Sequence, residues 1–230
     1  MATDPADLYV VRVDQEDVRL GRQVVHDPAS RGFTAPRTAI PLLSKRHRVY
    51  DPYPNPNQPV GCCTGVAEAV MGNTVGNRVT GQVLGMPVAL DLYRFASRND
   101  PWPGAWEPTD TGSSGLAAAK GAVRAGLATH YEWYFGVTAI LNGLMTRPIS
   151  VGAWWYESMF YPNPDTLLVR PDGPRAGGHQ WTLVAYDHYR QEVEGVCWWG
   201  EFRRFRMTVA DFGALVEDDG DAHTTYRRAA

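Results

Sequence analysis

Two residues in this sequence are best placed to do chemistry: a cysteine at the mouth of a helix and a histidine at the mouth of a strand. Gly61-Cys62-Cys63-Thr64-Gly65 closes a loop and opens an apolar run, Val66, Ala67, Ala69, Val70 and Met71, with helical spacing. A thiol in the first turn of a helix meets the positive end of the helix dipole and unpaired backbone N–H groups, both of which favour the nucleophilic thiolate. The N–H of Cys63 would also face an oxyanion forming on an attacked carbonyl. A side-chain amide just upstream, Gln58 or Asn57, could supply a second donor. The plain alternative is a small residue packed at a helix start.

The second element is Gly177-Gly178-His179-Gln180-Trp181-Thr182-Leu183-Val184. The imidazole opens an apolar strand, and Gly177 and Gly178 let another backbone or a substrate approach closely. Such a histidine can act as general base or as the cation of a thiolate–imidazolium pair; a satisfied structural histidine is the alternative. The other five, His26, His47, His130, His188 and His223, lie in loops or polar surroundings. Cys197-Trp198-Trp199-Gly200 ends the following strand. Its indoles, Trp199 above all, could shield a hydrogen bond of the histidine from water or simply pack an aromatic core.

The elements that must position these groups read as helices first and strands second. Short strands around Leu8–Val13 precede a turn at His26-Asp27-Pro28. Four prolines in residues 50–59 force an extended loop before Gly61. Helices are predicted from Thr64, over Val88–Ser97, after a Ser113-Ser114 cap, and over Val137–Met145. Past Pro148 the pattern predicts strands at Ile149–Tyr156, Leu167–Arg170, Trp181–Tyr186, Glu192–Trp199 and Phe202–Thr208, with a last helix over Val209–Val216. This order implies an α+β protein: residues 1–45 as an extension, 46–145 as a mainly helical lobe and 146–230 as a β-rich lobe.

Composition excludes several function classes. With 23 glycines and 17 prolines in 230 residues, a long helical bundle is untenable, and 26 aromatic residues make disorder untenable. No apolar run approaches the roughly 18 residues of a membrane span. The N-terminus lacks the basic start and apolar segment of a secretory signal. A net charge of −3 without a long basic block gives no footprint for nucleic acid. Three cysteines, two of them adjacent, build no disulfide framework. Without Cys-x-x-Cys spacing they offer poor geometry for a tetrahedral metal. No cofactor is expected, and synthesis in the cytoplasm is.

The order and texture of these segments resemble the papain-like cysteine peptidases. Asn57-Gln58-Pro59-Val60-Gly61-Cys62-Cys63-Thr64-Gly65 is similar to that family's Gln…Gly-x-Cys segment, and Gly177–Tyr186 to its Gly-x-His-Ala-Val…Gly-Tyr strand. Trp199-Gly200 stands where the family has Asn-Ser-Trp-Gly. Asp110–Lys120 with Gly126-Leu127 is similar to its second helix and exit, and Arg147-Pro148-Ile149-Ser150-Val151 to its Pro-Val-x-Val strand. The likeness spans about residues 50–208 and is greatest to the short, propeptide-free members of bacteria and bacteriophages. It implies an α+β, two-lobed papain-like fold, a helical lobe plus an antiparallel β-rich lobe with the active site between them. Cys63 would attack a peptide or isopeptide carbonyl, His179 would shuttle the proton, and Gln58 with the Cys63 N–H would stabilise the oxyanion. Gly61, Gly177, Gly178 and Trp199 would border a peptide or protein substrate.

Two departures bear on activity. The family's amide donor stands six residues before the nucleophile; here Asn57 is six and Gln58 five before Cys63. Cys197 occupies the place of the asparagine that orients the imidazole, and a thiol is a weak partner for that task. Asp187 and Glu201 are the nearby substitutes. Thr64-Gly65 favours Cys63 over Cys62 as nucleophile and leaves Cys62 a buried thiol. A catalytically impaired scaffold is therefore the alternative reading, for example a virion component that docks other virion proteins through the N-terminal segment. That segment lacks the long helical run of an inhibitory propeptide; the other expectation for it is an extra strand on the β lobe.

Overall fold

Alternation along two strands sets the architecture. In Ile149–Tyr156, the side chains of Ile149, Val151, Ala153 and Trp155 fall on one side and Ser150 and Gly152 on the other. In Arg175–Asp187, His179, Trp181 and Leu183 oppose Gln180 and Thr182. The structure, a computed structural model, describes residues 20–23, 27–36, 39–50, 57–74, 83–199 and 202–227. The strands expected near Leu8–Val13, and Gly200 and Glu201, lie outside the described residues.

Among the described residues, seven strands form one antiparallel sheet: β1 (Lys45–Arg46), β2 (His130–Tyr134), β3 (Ile149–Tyr156), β4 (Arg175–Asp187), β5 (Glu192–Trp199), β6 (Phe202–Thr208) and β7 (Asp221–Tyr226). Their order is β2-β7-β3-β4-β5-β6, with β1 paired to the far end of β4. One face carries Trp155, Trp181, Trp199 and Phe205 and is covered by α4 (Val137–Leu144) and α5 (Val209–Glu217). The other receives α1 (Cys63–Gly72), whose Val66 and Val70 pack with Val184, Val196 and Trp198.

Every residue of α1 is buried. Small residues make this possible: a Cβ on Gly65 would lie 2.1 Å from the Ala89 carbonyl oxygen of α2 (Met86–Asn99). α3 (Gly115–Arg124) starts where expected, its Ser114 side chain accepting from the Ala117 N–H.

Three departures from the sequence-based layout have physical causes. Leu167–Arg170 is no strand; it makes one bridge, Leu168 to Arg206. The preceding Asn163 side chain gathers the N–H groups of Asp165 and Thr166, and Leu167 takes a positive φ of 60°. β7 escapes the apolar-alternation reading because its buried side chains His223, Thr224 and Thr225 are polar, and β2 escapes it because its five residues bury only the adjacent Trp133 and Tyr134, which do not alternate. Because β2 joins the sheet, the sheet draws strands from both sides of residue 146.

Candidate active site

The loop before α1 is pinned at three points. The Gln58 N–H donates to the Trp198 carbonyl at 3.0 Å, Asn57 bridges to Trp199, and the Gly61 N–H donates to Asp110 Oδ2 at 2.7 Å. The Tyr93 hydroxyl donates to the other oxygen of Asp110 and accepts from the Gly112 N–H. These bonds bring Cys63 to the first position of α1, where Cys62 is the cap residue. Cys62 turns into the apolar cluster of Val66, Val184 and Trp198. Asn57 is exposed, whereas Gln58 is buried, its amide nitrogen donating to the Val60 carbonyl at 3.3 Å.

Cys63 is wholly buried, and what covers it is the chain's own segment 20–23. This stretch is extended between the lobes. The N–H groups of Gly21 and Arg22 donate to the Gly178 carbonyl at 3.2 and 3.0 Å. On the other side the Ser113 N–H donates to the Gly21 carbonyl at 2.7 Å, and the Gln23 N–H to the Ser113 carbonyl at 2.8 Å. Gly21 lies so close to the loop that a Cβ there would be 1.7 Å from the Gly61 carbonyl oxygen. Leu20 packs where a Gly177 side chain would stand. The two glycines before His179 thus admit a backbone, and here that backbone is residues 20–22.

Burial pushes the Cys63 thiol up to about 12, against the lowering influence of backbone hydrogen bonds at Gln180, Gly21 and Thr64 and of the Arg22 charge. The dipole of a helix N-terminus supplies about 0.3–2 kcal/mol, too little to offset desolvation. The thiolate expected from helix position alone is therefore not the resting form of the covered site.

His179 is also fully buried. Its ring stacks on Trp199 at 4.0 Å between centroids and meets Trp155 edge-on at 5.0 Å; neither ring nitrogen has a hydrogen-bond partner. Desolvation holds it neutral, well below the usual histidine value. The expected thiol–imidazole hydrogen bond is not formed. Cys63 comes from the α1 side of β4 and His179 projects with Trp181 to the opposite side. The main chain nearest the thiol is that of Gln180 and Gly21.

Cys197 is buried on the His179 side, in the cluster with Trp155 and Trp199. Asp187 does not substitute for the missing asparagine. It sits at the far end of β4, accepting from the N–H groups of Tyr189 and Arg190 at 3.0 and 3.1 Å.

Sequence reasoning missed two features. Segment 20–23 is one; its Gly21, flanked by bulkier residues, is the legible trace. The other is a buried polar cluster joining α1 to β7. Glu68 accepts from His223 Nε2 at 2.7 Å and from the Thr225 hydroxyl at 3.1 Å, and the Arg227 guanidinium reaches its backbone carbonyl at 2.8 Å. A carboxylate inside the otherwise apolar run of α1 was its signal.

No protein-family model matches the sequence, and no curated protein matches it. Solved structures do. Xylellain, a cysteine protease from Xylella fastidiosa, superposes with a TM-score of 0.67 at 13% identity, over 91% of this chain and 97% of that one. The fold is papain-like. The recombinant stem bromelain precursor gives 0.54 at 15% identity over 90% and 76% of the two chains. Procathepsin B S9 from Trypanosoma congolense gives 0.56 at 10% over 94% and 85%. At these identities the likeness establishes the fold alone. On that papain-like frame, residues 20–23 bridge Gly178 of β4 and Ser113 before α3, with the Gly21 backbone beside the Cys63 thiol.

Proposed function

We propose that the chain is a papain-like cysteine peptidase held latent by its own residues 20–23. One observation carries this reading: an extended peptide segment lies across a cysteine at a helix N-terminus, hydrogen-bonded through its main chain to Ser113 on one side and Gly178 on the other. A cleft that holds a backbone this way holds a peptide substrate by the same groups. In the covered state the thiol is protonated and the imidazole neutral, so the pair is unarmed. Displacement of residues 20–23 admits water and substrate. The reading then requires Cys63 Sγ and a ring nitrogen of His179 to meet, with the Cys63 N–H and the amide of Gln58 or Asn57 receiving the oxyanion.

The test uses Gly21→Val, whose side chain cannot coexist with the Gly61 carbonyl. The protease from Carica candamarcensis and the bromelain from Ananas comosus that resemble this chain were solved with E-64. The Gly21→Val chain is expected to take one E-64 adduct, on Cys63, and to hydrolyse a peptide substrate. The intact chain does so far more slowly, and adding Cys63→Ala or His179→Ala abolishes hydrolysis. An uncovered chain that neither labels nor hydrolyses would defeat the proposal.

A second reading has its own support. His179 sits among indoles with no hydrogen-bond partner for its ring nitrogens, and Cys197, which the resemblance aligns with the orienting asparagine, is buried in the same cluster. These favour a scaffold that binds peptides without cleaving them. On that reading the uncovered chain binds peptides and leaves them intact.

A further inference from the structure

Most bonds that hold residues 20–23 are main-chain bonds any peptide can make, but the Arg22 side chain makes bonds of another kind. It leaves the cleft for a buried slot in the sheet, where its guanidinium contacts Asp221 Oδ1 at 2.8 Å and the Asp219 carbonyl at 3.0 Å. The two side chains are 1% and 6% exposed. Trp133 Nε1 donates to the second oxygen of Asp221 at 3.2 Å, which fixes the carboxylate. The slot exists because β3 carries Gly152 opposite Asp221: a Cβ there would lie 2.2 Å from Arg22 Nε. A sheet that keeps a glycine and an acid side by side has shaped a channel for a long cationic side chain.

We infer that this slot is a specificity subsite of the peptide-binding cleft, selecting substrates with an arginine next to the residue that lies over Cys63. The inference rests on the reading of the cleft as a peptide site and names its substrate class. When residues 20–23 swing out, Asp221 keeps one neutral donor and loses its cation. A buried carboxylate stripped of its partner is strongly unfavourable, so an incoming guanidinium is favoured over any apolar side chain. Both contacts come from the one guanidinium nitrogen Nη2, so what the slot selects is a long cationic side chain. A site built around a polar group also rejects a ligand that lacks it more sharply than an apolar pocket rejects a wrong size.

The experiment separates binding from cleavage. A Gly21→Val, Arg22→Ala, Cys63→Ala chain, uncovered and unable to hydrolyse, is titrated with two peptides of the sequence Leu-Gly-X-Gln, X being arginine or leucine. The arginine peptide is expected to bind at least about tenfold tighter. Asp221→Asn brings the two within about twofold, while Asp221→Glu, which keeps the charge, retains the preference. Melting curves of the Asn and Glu variants confirm that both are folded. Equal binding of the two peptides, a preference that survives Asp221→Asn, or no binding of either peptide overturns the inference. Arginine-selective binding without cleavage by the chain that keeps Cys63 leaves the subsite standing and removes the peptidase.

Discussion

Opposing influences act on Cys63 and only one on His179. The thiol is drawn toward ionisation by its helix end and by the Arg22 charge, and held protonated by burial. The imidazole meets burial alone, without a hydrogen bond to offset it. This has a consequence for stability. The unfolded chain carries an ordinary imidazole and takes up a proton below about pH 6.5, whereas the folded chain keeps His179 neutral well below that pH. The unfolded state therefore binds more protons in acid, and stability falls as the pH drops through that range. At about 1.4 kcal/mol per pH unit, His179 costs the fold about 2 kcal/mol between about pH 7 and about pH 5. Urea unfolding of His179→Phe, which keeps an aromatic ring among the indoles, is expected to lack that part of the acid loss. Identical pH slopes in the two proteins would mean that the native imidazole titrates normally.

Among the elements, α1 bears the most constraints, because it presents Cys63 and also anchors the last strand. Glu68 is wholly buried and joins His223, Thr225 and Arg227 to the middle of the helix. Glu68→Ala strips a carboxylate from a buried guanidinium and an imidazole, and is expected to cost about 3–5 kcal/mol. Chemical denaturation measures it; a loss below about 1 kcal/mol would show that water replaces the carboxylate. Legibility in the sequence divides along the same lines. α1, α4, β3 and β5 were readable because apolar spacing, a proline stop or strict alternation marks them. β7 was not, since a strand whose buried side chains are His, Thr and Asp hides its period from a hydrophobic reading, and neither was β2, whose two buried residues, Trp133 and Tyr134, are adjacent and show no alternation. Leu167–Arg170 was misread because an asparagine-centred turn and a positive φ outweigh local strand propensity.

At the scale of the whole molecule, a sheet of seven strands and a buried helix make the papain-like frame, and a four-residue stretch of the same chain lies between them. The frame was legible: the Gly-x-Cys and Gly-Gly-His segments, in that order with Trp-Gly behind them, carried it. The cover was not, because it is held by main-chain hydrogen bonds, by the Arg22 ion pair 199 residues apart in sequence and by side-chain bonds of Arg22 and Gln23 to distant carbonyls, none of which leaves a local pattern. Whether the frame is an enzyme turns on what Cys63 does once uncovered. The direct measurement is the rate of Cys63 alkylation by iodoacetamide against pH in the Gly21→Val chain, followed by peptide mass mapping. A latent peptidase is modified fast near pH 6, where an ordinary thiol with a pKa of about 8.5 is almost inert, and loses that reactivity on adding His179→Ala. A rate that only climbs toward about pH 9, is the same with or without His179, and is matched by Cys197 would contradict that reading.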